Sequence, residues 1–225
     1  MTTALLQTRH LSKTYVLSGN HKVHALQDAN MELQQGNWLA ITGPSGSGKS
    51  TLLALLAGLD RPSSGEVLLN GSNISQANDV RLARYRKEKI GIIFQEYQLF
   101  EELNSLENVT MPLVVSNMTI KQRQTKGLAL LETVGMADRA THLPRQLSGG
   151  ERQRVAVARA LVHNPDIIFA DEPTSNIDER AAETVMNLFH SFKQAGKSLI
   201  VVSHSRELSM AADTQIQMES GRIVL

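Results

Sequence analysis

A glycine-rich run at residues 43–51, GPSGSGKST, has the residue types and spacing of a phosphate-binding loop. It matches G-x-x-x-x-G-K-[ST], in which glycines let several backbone N–H groups converge on one anion. Apolar segments precede and follow it, at residues 38–41 and 52–56, so we expect a strand before it and a helix after it. The alternative is a glycine-rich turn that binds nothing, but such a turn would need neither the lysine nor the strand and helix around it.

This pattern assigns distinct roles to two side chains. Lys49 can reach the outer phosphates of a nucleotide as a point charge, and the hydroxyl of Ser50 can bind Mg²⁺. The residues predicted to hold the nucleotide at this loop are Gly43, Pro44, Ser45, Gly46, Ser47, Gly48, Lys49, Ser50 and Thr51.

Two carboxylates follow the apolar run at residues 167–170, IIFA. Such a continuous apolar run is typical of a buried parallel strand. Asp171 and Glu172 would then lie at its carboxyl end, where a cation is needed to compensate them. We expect Asp171 to hold Mg²⁺ through water and Glu172 to polarise an attacking water as general base. The alternative is that these acids, with Pro173, merely end the strand.

A third run, LSGGERQRVAVARAL at residues 147–161, resembles the signature segment of ATP-binding cassette (ABC) proteins. The resemblance implies that two cassettes pair head to tail, each nucleotide lying between the phosphate loop of one and the signature of the other. Ser148 would supply a hydroxyl to the γ-phosphate, and Gly149 and Gly150 would allow its close approach before a helix N-terminus. Read locally, the run is a helix with alanines for packing and arginines for solvent, which leaves the Ser-Gly-Gly triplet unexplained.

Four further residues match positions of this family and take their roles from the resemblance. Tyr15 corresponds to the aromatic that stacks on adenine, although a half-buried strand tyrosine is the alternative. Gln95 corresponds to the glutamine that senses Mg²⁺ and the γ-phosphate, and Asp178 anchors the loop that crosses the dimer interface. His204 follows the apolar run at residues 198–203 and corresponds to the switch histidine, which contacts the γ-phosphate.

The resemblance extends from Leu11 to Val224 and is closest to the ATPases of the macrolide-exporter and lipoprotein-releasing group. That group usually has glycine where this chain has Ser175, and aspartate where this chain has Ser205. Neither change removes a group assigned to the chemistry. They bear on the subgroup and not on the ATPase activity.

Composition sets a few bounds on the protein. The 225 residues suffice for one α/β domain, and with one cassette per chain two active sites require two chains. The net charge of +1 gives no global field that would favour nucleic acid. The absence of cysteine fits a reducing compartment, and no apolar run approaches the ~20 residues that cross a bilayer. We therefore expect a cytoplasmic protein without a membrane span or signal peptide.

The expected fold class is α/β, a P-loop NTPase core with a mainly parallel sheet between helices, an antiparallel β lobe and a helical lobe. Short strands and turns predominate in residues 5–69, and helical spacing sets in at about residue 98. On residues 121–134 we expect Leu128, Leu131 and Val134 to share one buried face. Residues 1–95 and 160–225 would form the nucleotide-binding core with the β lobe, and residues 96–159 the helical lobe ending in the signature.

Two classes of function follow from the resemblance. One is the energy-coupling ATPase of a membrane transporter or membrane-extraction complex, with ATP, Mg²⁺, a second copy of the chain and a separate permease. The other is a soluble ABC ATPase in DNA repair, chromosome or ribosome function. Those relatives usually carry a coiled-coil insertion or tandem cassettes, which are absent between residues 43 and 147, so the transporter class is favoured. A P-loop kinase would not explain Gln95 or the signature.

The resemblance also implies a docking region for the permease. Residues 96–102 follow Gln95 and would border the groove that receives a cytoplasmic helix of the permease, holding the ATPase at the inner membrane surface. Leu99 and Phe100 are apolar and would gain from burial in that contact. The alternative is that both side chains pack inside the helical lobe.

Overall fold

The computed structural model describes residues 4–224, in which strands form two sheets. The strands are β1 (Leu6–Val16), β2 (Lys22–Leu33), β3 (Trp38–Thr42), β4 (Ser64–Leu69), β5 (Ser72–Asn73), β6 (Ile90–Ile93), β7 (Ile167–Asp171), β8 (Ser198–Val202), β9 (Thr214–Glu219) and β10 (Arg222–Ile223). The helices are α1 (Lys49–Leu56), α2 (Asp79–Lys89), α3 (Ser105–Thr110), α4 (Ile120–Thr133), α5 (Gly149–Leu161), α6 (Glu179–Gln194) and α7 (Arg206–Ala211). Short 3₁₀ turns connect several of them.

The central sheet has six strands in the order β10-β9-β3-β8-β7-β6. All neighbours pair in parallel except β10, which is antiparallel to β9. Strands β7 and β8 are buried along nearly their whole length, because helices cover both faces of the sheet. The predicted α/β class with a mainly parallel sheet is confirmed.

The second sheet has the order β2-β1-β4-β5 and is antiparallel throughout. Where β1 meets β4, the carbonyl of His10 lies 2.3 Å from the position that a Cβ on Gly65 would take. Only glycine permits this approach, and the pairing register shifts there. This sheet is the predicted antiparallel lobe.

Side chains of the central sheet alternate between two cores, as successive strand residues point to opposite faces. On β7, Ile167 and Phe169 join the core that the sheet shares with α1 and the antiparallel sheet. Ile168 and Ala170 join the core shared with α3, α4, α5 and α6. Strand β7 therefore contributes side chains to both cores, and Asp171 lies at its carboxyl end.

The expected apolar face of α4 is only partly correct. Leu131 and Val134 are buried, but 44% of Leu128 is exposed. The buried face instead contains Gly127, whose Cβ would lie 2.5 Å from the methyl carbon of Thr110 on α3. Hydrophobic spacing could not predict this face, because α3 packs against α4 at Gly127, and a glycine gives no hydrophobic signal.

Candidate active site

The glycine-rich loop joins β3 to α1, as predicted, and its backbone leaves no room for side chains at two positions. A Cβ on Gly43 would lie 2.2 Å from the carbonyl oxygen of Met218, and one on Gly48 would lie 2.3 Å from that of Ala25. Both glycines also have positive φ angles, 138° and 101°. Gly48 is the N-cap of α1 without a side-chain cap, so the first N–H groups of the helix remain available to an anion.

Lys49 is buried beneath this loop. Its Nζ donates hydrogen bonds to the carbonyl oxygens of Gly43 and Pro44, each at 2.9 Å. These bonds compensate the buried ammonium and fix it at the centre of the loop. A phosphate entering the loop would meet a cation that is already in place.

Glu172 follows β7 in an unusual backbone conformation. Its φ is 45°, in the left-handed region that side-chain-bearing residues rarely adopt. The N–H of Glu172 donates to the carbonyl of Val202, and its own carbonyl accepts from the hydroxyl of Ser175 at 3.0 Å. Such strained residues persist where surrounding contacts hold them, and they cluster at active sites.

The carboxylate of Glu172 lies against His204, which donates a hydrogen bond to one of its two oxygens. The backbone N–H of His204 donates to Oε2 at 3.2 Å, and Nε2 of its ring lies 3.3 Å from Oε1. Only 12% of the Glu172 side chain is exposed, against 58% for His204. Ser205 begins α7 by accepting a hydrogen bond from the N–H of Leu208, which is a capping role that serine and aspartate share.

These residues share one cleft of about 700 Å³ at the carboxyl edge of the central sheet. That volume lies within the range of nucleotide-sized ligand sites. Of the predicted site residues, it is lined by Ser45, Gly46, Gly48, Lys49, Ser50, Thr51, Gln95, Asp171, Glu172 and His204.

Tyr15 lies beside this cleft and not in its wall. It pairs with Val23 on β2, and Val23 lines the cleft. The hydroxyl of Tyr15 donates to Oδ2 of Asp60 at 2.9 Å, and Nζ of Lys13 lies 4.8 Å from the ring centroid. The ring is thus covered by a cation on one side and tethered at its tip.

Sequence reasoning missed Lys13 and Asp60, of which Asp60 holds the hydroxyl of Tyr15 from 45 positions along the chain. Nζ of Lys13 donates to Oδ1 of Asp60 at 2.7 Å. Burial alone would raise the pKa of Asp60, but the hydrogen bonds from Lys13, the backbone of Arg61 and Tyr15 hold it below its usual value. Burial, and then the bond to Asp60, raises the pKa of Tyr15. No local motif marks residues 45 or more positions apart as partners.

The signature residues lie in a different cleft. Ser148 is the N-cap of α5, where its Oγ accepts from the N–H of Glu151 and its own N–H donates to Glu151 at 2.8 Å. This capping box holds the pKa of Glu151 below its usual value, mainly through the backbone N–H of Ser148. A Cβ on Gly150 would lie 2.5 Å from the Cβ of Ala181, so the glycine lets α5 and α6 approach closely.

Asp178 lines this second cleft, of about 440 Å³, together with Ser148 and Gly150. Its Oδ1 accepts from the N–H of Ala181 and caps α6. Gly149 lies beside it, against the carbonyl of Asn176. The structure therefore does not bring Ser148, Gly149, Gly150 or Asp178 to the phosphate loop of their own chain.

A third hollow, of about 690 Å³, lies along the edge strand β6. Phe100 lines it and is 48% exposed, whereas Leu99 is half-buried and packs against the core that the sheet shares with α3, α4, α5 and α6. Phe100 is therefore available to a permease contact, whereas Leu99 packs against the protein's own core. Other apolar and cationic side chains in the lining are Val80, Pro112, Val115, Arg84, Lys87 and Arg159.

A family profile described as "ABC transporter" matches residues 26–175, two thirds of the chain. The chain belongs to the ABC transporter family. An uncharacterized ABC transporter ATP-binding protein of Thermotoga maritima is 45% identical, with 91% of this chain and 88% of that protein covered. The lipoprotein-releasing system ATP-binding protein LolD of Shewanella oneidensis is 42% identical, with 98% and 96% covered.

The solved structures agree. A dimeric structure of the ATP-binding cassette MJ0796, bound to ADP and phosphate in a post-hydrolysis state, superimposes with a TM-score of 0.92. It is 36% identical and covers 98% of this chain and 97% of that one. The protein is an ATPase that couples ATP hydrolysis to a membrane transporter, and the transporter class of the two predicted functions is confirmed. Within residues 4–224, none of the helices has both the length and the apolar character to span a membrane.

Proposed function

We propose that this ATPase works as a sandwich dimer, in which the phosphate loop of one copy and the signature of another enclose each ATP. The observation that carries the proposal is the separation of the two clefts. Lys49 lines one and Ser148 lines the other, and among the described residues no hydrogen bond or ion pair joins these two side chains within the chain. A second copy arranged head to tail can bring the signature of each chain to the nucleotide of the other. The dimeric MJ0796 cassette, similar over nearly the whole chain, supports this arrangement.

The same cleft offers oxygen donors for Mg²⁺. Ser50, Gln95 and Asp171 all line it, and hydroxyl, amide and carboxylate oxygens are the ligands that Mg²⁺ prefers. Bound there with the phosphates, the ion would neutralise charge on the transferred phosphoryl group. Asp171 would hold it through water, as its position at the strand end leaves space in the cleft.

Glu172 is the proposed general base. A water placed between its carboxylate and the γ-phosphate would attack phosphorus while its proton passes to Glu172, and the bond to the ADP oxygen would break. His204 would keep the carboxylate in this orientation, since it already contacts both carboxylate oxygens, and its exposed ring could contact the γ-phosphate. Tyr15 would offer the uncovered side of its ring to the adenine.

The hollow along β6 is the proposed docking groove for a cytoplasmic helix of the permease. Exposed apolar side chains, among them Phe100, Val80 and Val115, line it beside the cations Arg84 and Lys87. An amphipathic helix with acidic flanks would match this combination. Docking there would hold the protein at the cytoplasmic face of the inner membrane. We also propose that residues 96–159 form a helical lobe and that the rest of the chain forms the nucleotide-binding core with the β lobe.

Mixing two inactive variants tests the sandwich. Lys49→Ala removes the phosphate cation, and Ser148→Arg fills the space that the γ-phosphate needs at the signature. In a mixed dimer one of the two composite sites has both parts intact, so we expect ATPase activity to reappear on mixing, at about a quarter of the activity of the parent if equal amounts pair at random. If each site were built within one chain, mixing would restore nothing.

Neighbouring residues provide a matched test of the groove. Phe100→Ala should leave the melting temperature and basal ATPase of the free chain almost unchanged while reducing recovery of the permease complex. Leu99→Ala should instead lower the melting temperature, because Leu99 packs against the core. Co-purification from membranes measures the complex. A large fall in melting temperature for Phe100→Ala, with the complex intact, would contradict the groove assignment.

A further inference from the structure

The segment after Gln95 turns through two consecutive left-handed residues. Tyr97 has a φ of 60° and Gln98 a φ of 48°. The guanidinium of Arg159, on α5, donates to the carbonyls of both residues, with a distance of 2.7 Å to that of Tyr97. Two adjacent left-handed residues carry backbone strain, which persists only where other contacts hold them. The two hydrogen bonds from Arg159 do this, and they fasten the turn to the signature helix α5.

Tyr97 also reaches the two segments that form the second cleft. Its hydroxyl donates to the carbonyl of Asn176 at 3.1 Å, in the loop that leads to Asp178. The guanidinium of Arg152, on the signature helix, lies 5.3 Å from the centroid of its ring. A Cβ on Gly149 would lie 3.1 Å from the Tyr97 hydroxyl, so this glycine is packed directly against the contact.

A second hydrogen bond runs in the opposite direction. Nδ2 of Asn176 donates to the carbonyl of Gln95 at 3.3 Å. The Gln95 and Asn176 segments are therefore joined at two points. Gln95 lines the phosphate cleft and Asp178 lines the signature cleft, so two side-chain donors, the Tyr97 hydroxyl and the Asn176 amide, link the two clefts by bonding backbone carbonyls.

We propose that Tyr97 is a positioning residue. It sets the start of the signature helix α5 and the loop that leads to Asp178 relative to Gln95, so that both fit a second copy. The proposal rests on the sandwich dimer proposed above. Tyr97 does not line the phosphate cleft, and its hydroxyl bonds only backbone in the described contacts. Its effect is thus expected on the association of two chains and not on the binding of ATP to one.

The test removes a single oxygen atom. Tyr97→Phe keeps the ring over which Arg152 lies and loses the bond to Asn176. Tyr85→Phe is the matched control, since the hydroxyl of Tyr85 also donates to a backbone carbonyl, that of Leu56 at 3.0 Å, and Tyr85 lines neither cleft. Both changes are made in a chain that carries Glu172→Gln, so that ATP is bound without being consumed.

Three quantities are measured for the three chains: the ATP affinity of the monomer, the melting temperature, and the ATP-driven dimerisation constant from analytical ultracentrifugation. We expect Tyr97→Phe to keep ATP affinity, to lower the melting temperature by no more than Tyr85→Phe does, and to weaken dimerisation about three- to tenfold, the effect of one lost hydrogen bond. Tyr85→Phe should lower the melting temperature and leave dimerisation unchanged.

The possible failures are distinguishable. If Tyr97→Phe dimerises as tightly as its parent, the positioning role is wrong while the sandwich stands. If the two variants weaken dimerisation equally, the hydroxyl of Tyr97 serves stability alone, which also overturns the role. If the Glu172→Gln parent itself fails to dimerise with ATP, the proposed function falls and the role of Tyr97 falls with it.

Discussion

The two clefts of this protein differ in how complete each is within one chain. The phosphate cleft already has its cation in place, two glycines that admit no side chain, and a carboxylate that accepts a hydrogen bond from the backbone N–H of His204. In the signature cleft, the hydroxyl of Ser148 is engaged with Glu151 and the carboxylate of Asp178 caps α6. The first cleft is organised to receive an anion, whereas the second is organised to hold two helix ends.

This difference separates binding from catalysis. A cleft that is complete in one chain can bind nucleotide as a monomer, because preorganised groups lose little freedom on binding. The polar groups of Ser148 and Asp178 in the signature cleft are already satisfied within the chain. This cleft would contribute to catalysis only when the phosphate of a nucleotide bound to a second copy reaches it.

The largest effect is expected at the general base. Glu172→Gln should reduce turnover by about 10²-fold or more, since the neutral amide cannot accept the proton of the attacking water. ATP binding should persist, and the variant should accumulate as an ATP-bound dimer on gel filtration. Turnover within a factor of two of the parent would show that Glu172 is not the base.

A smaller effect separates the two clefts directly. Lys49→Ala should weaken ATP binding by the monomer about 10- to 100-fold, the loss of charge-assisted hydrogen bonds to phosphate. Ser148→Arg should leave monomer binding within about twofold of the parent and block ATP-dependent dimerisation. Titration with a fluorescent ATP analogue at low protein concentration measures the first quantity. Equal loss of monomer binding in both variants would contradict the separation.

The smallest effect concerns the stability of the first turn of the signature helix α5. Glu151→Gln should lower the free energy of unfolding by about 0.3–1 kcal/mol at pH 7, because a carboxylate near a helix N-terminus is favoured over an amide. The folded-state pKa of Glu151 is lowered, so its contribution is present above the unfolded pKa and is lost as pH falls through the folded value. Urea denaturation at pH 7 and below about pH 4 should show the difference between the chains narrowing. A difference that does not change with pH would exclude this origin.

Much of the fold was predictable because its signals are local. The apolar runs at β7 and β8 and the glycine-rich loop between β3 and α1 each specify an element by composition alone. The buried face of α4 was predicted wrongly at Leu128, since Gly127 packs against Thr110 and a glycine gives no hydrophobic signal. Leu99 and Phe100 were indistinguishable in sequence, yet one packs against the core and the other lines a groove.

The sequence by itself determined the chemical inventory and its order along the chain: a phosphate loop, a glutamine, a signature, two carboxylates and a histidine. Short-range backbone requirements, such as positive φ at glycine and a free helix N-terminus, impose these patterns, so they can be read without coordinates. Only the tertiary structure decided which of these groups share a cleft, because that depends on strand order. It also decided the links between distant residues, the tether of Tyr15 by Asp60 and of Asn176 by Tyr97. Such contacts form when packing brings segments together, and no periodicity in the chain encodes them.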